Sequence, residues 1–521
     1  MSISQKRILW ADDEVEFLQP HKLFLEKKGF IVETVNSGED AIESIKNNYY
    51  DLLLIDEIMT GIDGLTTVKR IRNQNIDIPV IMITKNEEEW LMEEAIAGNI
   101  DNFLTKPVNP SQILSACKSV LQSRQIQSDY TSREYIAEFQ KINESIREIS
   151  SLNQWYEVYD KLVTWSLKFD RYDQSGLKQI FDDQFSEINE AFNQFIIKNY
   201  HKWIKKGKTE KFVTNIFNQH LKPCLKKSEK VCLIVVDCMR MDHLKILLPL
   251  LSEYFTIKHD FAISLLPSAT PYARNAIFSG MFPIEIHSKY PQKWDEMMKN
   301  EYTHNQFESF FFRDLLDRNG FENKSMKYYK TVTIEDGQNL ENHFSEYKNL
   351  DVIGIVVNYI DILGHAKSES KVIGELLHDE SAYRDAVQSW FENSWLNSIL
   401  KEISNWGHKV IITSDHGSIR VEKPTMIKGD KDTSAGIRYK YGRNIYAPEK
   451  GGLTITKPEK YGLPRVSQFN QFIIAKNKHF FVYPNNYNKF VNRLKNSFQH
   501  GGISLEELII PVTKLQGKNW K

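Results

Sequence analysis

Short apolar runs alternate with amphipathic stretches over the first part of the chain. Ile8-Leu9-Trp10 leads into a helical pattern ending at Lys28, Phe30 to Val35 into one ending at Lys46, and Leu52 to Ile55, Ile78 to Ile83 and Ile100 to Phe103 supply further runs before a closing helix, Asn109 to Leu121. Apolar runs separated by helices predict parallel strands covered on both faces, so residues 1–123 are expected to form a doubly wound α/β sheet. From 124 to 227 the strand pattern disappears. Phe181, Phe185, Ile188, Phe192, Phe195 and Trp203 recur at helical steps, as do Leu152, Trp155, Tyr159, Leu162 and Val163, which predicts an all-α bundle with an aromatic core. Strands return over 228–521, at Val231 to Val236, Val352 to Val357 and Val410 to Ile412. Between them lie stretches such as Lys289 to Asn305 and Met426 to Lys450, expected to be irregular and longer than ordinary loops. The whole is an α/β multidomain chain.

Composition narrows the function. Lys and Arg total 67 against 68 Asp and Glu in 521 residues, a balance that gives no hint of an extended nucleic-acid footprint or a basic membrane-binding face, so an anionic substrate must be met locally. Cys117, Cys224, Cys232 and Cys238 form no CxxC pair, and their scarcity suits a reducing compartment. The first residues lack an apolar signal core and no run of eighteen apolar residues occurs, so a soluble, cytoplasmic protein without a membrane span is expected.

Chemistry-bearing residues fall at strand ends. Asp12 and Asp13 follow the first predicted strand, Asp56 the third, Thr84 the fourth and Lys106-Pro107 the fifth, all on one sheet edge. Carboxylates converging there repel unless a hard divalent cation joins them, and Mg²⁺ is the natural occupant. With charge neutralised by the ion and Lys106, Asp56 can attack a phosphoryl donor while Thr84 and Lys106 hold the added oxygens. Order and spacing resemble the receiver domain of bacterial response regulators, a flavodoxin-like fold. The resemblance implies Asp12, Asp13 and Asp56 as Mg²⁺ ligands, Asp56 as phosphoacceptor, and Thr84, Phe103 and Lys106 as switch residues. Met59-Thr60-Gly61 stands where the family often has Met-Pro-Gly, a departure expected to loosen a turn without touching the chemistry.

A second set of donors lies in the last three hundred residues. Asp237 closes Val231 to Val236, Asp361 follows Val352 to Val357, and Asp415-His416-Gly417 follows Val410 to Ile412. Asp361 and His365 stand one helical turn apart, and Gly417 lets adjacent oxygen and nitrogen donors turn inward. His500 precedes Gly501-Gly502, which allows close backbone approach. Thr270 before Pro271 reads as a helix N-cap, and a hydroxyl there also lies where helix amides welcome a phosphate.

Jointly these segments resemble the PglZ-type branch of the alkaline phosphatase superfamily. By that resemblance Asp237, Thr270, Asp415 and His416 hold one metal and Asp361, His365 and His500 another; oxygen and imidazole donors favour two zinc ions, with manganese the alternative. The two ions would lie about 3.5–4 Å apart and clamp one phosphoryl group. Thr270 would be the nucleophile, forming a phosphothreonine that water hydrolyses with net retention at phosphorus. A threonine at this position resembles the phosphodiesterase relatives rather than sulfatases or serine monoesterases. The loop carrying Lys428, Lys431, Arg438, Lys440 and Arg443, with Tyr439 and Tyr441 between, could grip an oligonucleotide or form a solvated flap.

The complete arrangement resembles the PorX-like response regulators of type IX secretion. That implies phosphorylation of Asp56 by a sensor histidine kinase, a phosphorylation-promoted homodimer, an extracytoplasmic-function sigma factor as partner, and zinc-dependent phosphodiesterase action on cyclic or linear oligonucleotides. No helix-turn-helix stands out, so direct sequence-specific DNA binding is not expected. The alternative is a non-enzymatic adaptor in which metal only stiffens a docking surface for the sigma factor.

Overall fold

The computed structural model of the chain describes residues 6–74, 76–85, 100–171, 175–205, 211–299, 304–369, 371–429, 436–465, 471–485 and 487–518. It comprises two compact units, Met1–Phe139 and Gln140–Lys521.

In the first unit, strands β1 (Arg7–Ala11), β2 (Ile31–Val35), β3 (Leu52–Asp56), β4 (Val80–Thr84) and β5 (Asn102–Thr105) form one parallel sheet in the order β2-β1-β3-β4-β5. This is the flavodoxin-like order, whose switch point lies between β1 and β3. Every residue of β3 and β4 is buried, which explains their unbroken apolar runs. Leu52, Leu54, Ile81 and Ile83 pack to one face and Leu53, Ile55, Val80 and Met82 to the other. The closing helix runs Pro110–Ile146, well past the expected Leu121, because no proline or glycine interrupts it.

The second unit contains the helices Leu152–Arg171 and Ser175–Lys205, and the aromatic stripe lies inside: Trp155 meets Phe192 and Phe195, and Phe181 meets Phe169 and Phe185. These helices are fastened to helices of the α/β part that follows. Lys245 reaches Thr164 at 2.6 Å, Arg384 reaches Asp170 at 2.6 Å, and Asn189 reaches Glu506 at 2.9 Å.

The main sheet holds β6 (Val231–Val236), β7 (Phe255–Ile263), β8 (Met326–Thr331), β9 (Val352–Val357), β10 (Lys409–Thr413) and a last strand, Ile509–Gly517. Small strands precede that last one: β11 (Ile419–Arg420), β12 (Lys423–Met426), β13 (Tyr439–Gly442), β14 (Gly452–Ile455), β15 (Gln471–Ala475), β16 (His479–Val482) and β17 (Phe498–Gln499), making Ile509–Gly517 β18. The order β7-β18-β10-β6-β9-β8 places β10, β6, β9 and β8 side by side in parallel; on the other flank β18 runs antiparallel to β10, and β7 antiparallel to β18. Register aligns the outgoing ends: Val235 lies level with Thr413 and Val356, and Val236 with Val357. The residues that follow three neighbouring strands therefore emerge at one edge. The stretch from Lys289, expected to be irregular, contains the helix Pro291–Met297, with a proline at its first turn.

Candidate metal centres

In the first unit Asp12, Asp13 and Asp56 bring carboxylate oxygens within 4.8 Å of one another, and Lys106 Nζ donates to Asp56 Oδ2 at 2.7 Å. Burial raises the Asp56 carboxyl above its ordinary range; Lys106 pulls it back down, while the Asp12 and Asp13 charges push it further up. A divalent cation would relieve that excess of negative charge. Thr84 donates to Glu57, and Phe103 is half-buried against the β-sheet core. The expectation that Thr60 leaves the chemistry untouched is corrected: its backbone N–H donates to Asp13 Oδ2 at 3.0 Å, a bond that proline could not make.

In the second unit the donor-bearing side chains gather at the outgoing ends of β10, β6 and β9. Asp237 directly follows β6, its amide bonded to Val357 O at 2.8 Å; Asp415 and His416 follow β10. Asp361 lies in the first turn of the helix Tyr359–Glu369, with His365 one turn on, and His500 follows β17. Two clusters result, each with donor atoms within 4.8 Å: Asp237, Asp415 and His416, fully buried, and Asp361, His365 and His500. The stacked rings of His416 and His500, 4.2 Å apart, join them.

Thr270 sits beside the first cluster, its Oγ1 3.0 Å from His416 Nε2 and 3.5 Å from Asp237 Oδ1. It is not the N-cap, as the sequence suggested. Ala269 occupies the cap position, and Thr270 begins the helix Thr270–Ser279 with Pro271 behind it. The hydroxyl thus makes no capping bond and faces the donors instead. The Gly417 carbonyl lies 3.1 Å from His416 Nδ1, and as acceptor there it keeps the ring's lone pair on Nε2, the form that ligates a metal. Gly417 itself is obligatory, since a Cβ there would stand 2.0 Å from Glu506 O.

Several features fit cations. Asp415 Oδ2 and Asp361 Oδ1 are buried without a hydrogen bond, although Asp361 Oδ1 lies 3.4 Å from His365 Nε2 and 3.5 Å from His500 Nε2. Burial, reinforced by the nearby Asp415 charge, pushes Asp237 well above the usual carboxylate range, a cost that a bound cation removes. Burial favours protonation of Asp361, yet the imidazoles of His365, His500 and His416 hold it well below the ordinary value. Burial, with the neighbouring His416 adding to it, holds His500 well below the ordinary histidine value. Ionised carboxylate and neutral imidazole are the metal-binding forms.

The surrounding loop departs from expectation. Arg438 is fully buried, its Nε and Nη2 each 2.7 Å from Glu507, so it is a structural anchor and not a grip on substrate. Lys440 is also buried, held at about 8 by burial, with its Nζ over the Tyr483 ring. Arg443 and Lys428 are exposed, and Lys431 lies outside the described residues. Gly501, at φ +111°, packs under Tyr439, where any Cβ would collide with the ring.

The sequence reading missed Arg274, Glu308 and Asn358. Arg274 donates through Nη1 to Asp237 Oδ2 at 2.5 Å and Asn358 Oδ1 at 3.1 Å, and through Nε to Glu308 Oε1 at 2.6 Å. The signal was available in Tyr272-Ala273-Arg274-Asn275-Ala276-Ile277, where a charged residue stands in a helix that is otherwise small or apolar.

Residues 216–515, more than half of the chain, match the family described as the BREX system PglZ alkaline phosphatase-like domain. Residues 8–118 match the response regulator receiver domain, and 125–204 the PorX response regulator linker domain. Among curated relatives, the alkaline phosphatase synthesis transcriptional regulatory protein PhoP of Bacillus subtilis is 29% identical over 121 residues, 23% of this chain and 50% of that protein. The CpxR homolog of Haemophilus influenzae is 31% identical over 136 residues, 26% of this chain and 59% of that protein. The chain spans about half the length of the curated relatives it matches. A two-component response regulator from Clostridium difficile, of known structure, is 32% identical with a TM-score of 0.22, covering 23% of this chain and 97% of that one. Among the described residues no helix is long and apolar enough to cross a membrane. A receiver domain takes its phosphoryl group from a donor such as a sensor kinase, and an alkaline phosphatase-like domain is of the metal-binding, phosphoesterase type. The chain belongs to the PglZ alkaline phosphatase-like family, and carries a response regulator receiver domain and a PorX-type linker ahead of the PglZ domain.

Proposed function

We propose that the protein is a response regulator, phosphorylated on Asp56 by a sensor histidine kinase, whose output is hydrolysis of phosphodiesters with Thr270 as nucleophile. The observation that carries this reading is the placement of an uncapped hydroxyl, Thr270 Oγ1, 3.0 Å from His416 Nε2 and at the edge of two clusters of oxygen and imidazole donors. Asp237, Asp415, His416 and Thr270 would hold one ion and Asp361, His365 and His500 the other. Zinc suits this thiolate-free set of imidazoles and carboxylates, with manganese the alternative. Bound there, the ions would lower the pKa of the threonine hydroxyl and neutralise charge on the phosphoryl oxygens.

The chain's own part follows from its geometry. The rigid helix Thr270–Ser279 presents Oγ1 for in-line attack on phosphorus, and its N-terminal dipole favours the incoming anion. As the new P–O bond forms, the bond to the departing alcohol breaks, giving phosphothreonine. Water then attacks phosphorus and releases the phosphomonoester, restoring Thr270 with net retention. Arg443 and Lys428, exposed on the neighbouring loop, would meet the backbone of a cyclic or linear oligonucleotide. The Asp56 switch, through Thr84 and Phe103, would promote a homodimer, and an extracytoplasmic-function sigma factor would link the output to type IX secretion.

The test is hydrolysis of bis-p-nitrophenyl phosphate, its monoester and a short oligonucleotide by zinc-loaded protein and by Thr270→Ala. Diester cleavage that Thr270→Ala abolishes, with zinc still bound, is expected. Zinc-loaded wild type that cleaves none of the three would favour the metal-stiffened adaptor.

A further inference from the structure

Arg274 occupies a place that the proposed chemistry does not use. It lies one turn beyond Thr270 on the same helix, 2% exposed, and it touches two carboxylates. One of them, Glu308, is 1% exposed and held from several sides: Tyr328 Oη donates to Oε2, and Asn305 Nδ2 donates to Oε1 at 2.7 Å. Asn305 Nδ2 also lies 3.4 Å from the Thr270 carbonyl, so the start of the nucleophile's helix is tied to the same cluster. Glu308 therefore anchors the guanidinium from behind. Asn358, next after β9, accepts from Arg274 Nη1 and fixes the other side. The arm is thus immobile before it reaches Asp237.

What it does to Asp237 is specific. Nη1 takes Oδ2 at 2.5 Å, and Oδ1 is the oxygen left beside Thr270 Oγ1 and His416 Nε2, at 3.5 and 3.6 Å. One guanidinium bridges the two buried carboxylates, with the Lys330 charge also near both, and Glu308 is already saturated by donors. We propose that Arg274 is a positioning residue for the first metal centre: by holding Oδ2, it turns Oδ1 of Asp237 toward the ion as a single-oxygen ligand and couples that ligand rigidly to the nucleophile's helix. This rests on the reading of Asp237, Asp415 and His416 as metal ligands. Partners that orient a metal ligand in this way are worth about 10- to 100-fold in affinity.

A purely structural role is the competing account, in which Arg274 and Glu308 merely weld the helix Thr270–Ser279 to Glu308–Asp317. Zinc titration of the metal-free full-length chain, by calorimetry against a competing chelator, separates the two. Arg274→Gln is compared with Glu308→Gln, which keeps the Arg274–Asp237 contact, and thermal unfolding without metal is recorded for both. The expected result is a loss of about 10- to 100-fold in affinity for the tighter zinc in Arg274→Gln, with only a few-fold loss in Glu308→Gln. Wild-type zinc affinity in folded Arg274→Gln overturns the proposal. So does an equal loss in both variants that tracks their fall in Tm. If Arg274→Gln does not fold, Arg274→Met gives the same reading, since a thioether fills part of the space and leaves Asp237 Oδ2 equally without its donor. Failure of the phosphodiesterase reading looks different: wild type then binds zinc but cleaves no diester, and the affinity comparison still stands.

Discussion

Replacing Arg438 by methionine tests whether the loop that carries it anchors the fold or grips a substrate. Arg438 and Glu507 are both fully buried and meet through two parallel bonds of 2.7 Å. Glu507 also accepts from Gly502 N and Ser504 Oγ, each at 2.8 Å, so the pair pins the turn immediately behind His500. Methionine removes the cation and leaves the carboxylate buried with backbone and hydroxyl donors only, a loss of about 3–5 kcal/mol. At about 2.1 cal/mol/K per residue, a unit the size of Gln140–Lys521 unfolds with an entropy of roughly 0.8 kcal/mol/K, so Tm should fall by about 4–6 °C. Scanning calorimetry on zinc-free protein measures this, and the KM for bis-p-nitrophenyl phosphate, taken well below Tm, should stay near wild type. A Tm within about 1 °C of wild type, together with a KM raised several-fold, would refute the anchoring argument and restore Arg438 as a substrate contact.

Further expectations are open to measurement. His365→Ala removes an imidazole from the half-exposed cluster, so zinc per chain, measured by plasma emission after dialysis, should fall from two to one; an unchanged content would remove His365 from the ligand set. Acetyl phosphate with Mg²⁺ should add one phosphoryl group to wild type and none to Asp56→Asn by intact mass, and a chelator should block the addition; labelling of Asp56→Asn would place the acceptor elsewhere. Stability should also depend on mildly acidic pH. Burial holds His220 and His408 at about 4 instead of the usual 6.5. Between those values the unfolded chain binds protons that the folded chain does not, so stability falls as pH drops from about 6.5 to 4, by up to about 1.4 kcal/mol per pH unit for each histidine. Urea midpoints at pH 7, 6 and 5 should show that slope, and the double variant His220→Gln with His408→Gln should make it shallower without abolishing it, since burial also holds His243 at about 3 and His479 at about 4; equal slopes in both proteins would contradict the assignment.

Much of the fold was visible in the chain because buried parallel strands cannot hide. Val231 to Val236 and Val352 to Val357 are unbroken apolar runs since both sheet faces are covered, and register then fixes where Asp237 and Asn358 emerge. The donors at strand ends were legible for the same reason. Residues whose roles depend on a distant partner were not. Nothing near Arg438 announces Glu507, 69 positions away, so a basic residue among lysines and tyrosines looked like a phosphate grip. Glu308 lies 34 positions from Arg274 and opens a helix whose acidic first turn has an ordinary explanation. Thr270 was placed one position early because Thr-Pro is the usual signature of a cap followed by the first helical residue, whereas here Ala269 takes the extended cap conformation and leaves the hydroxyl to the site. Thr60 was misjudged because the consequence of losing a proline is a backbone donor, which side-chain comparison does not show.

Anomalous scattering at the zinc edge from crystals of the zinc-loaded chain tests the central claim most directly. The account predicts two peaks about 3.5–4 Å apart, one among Asp237, Thr270, Asp415 and His416 and the other among Asp361, His365 and His500. A zinc-loaded crystal with no peak at these residues, or with one ion coordinated elsewhere, would contradict it.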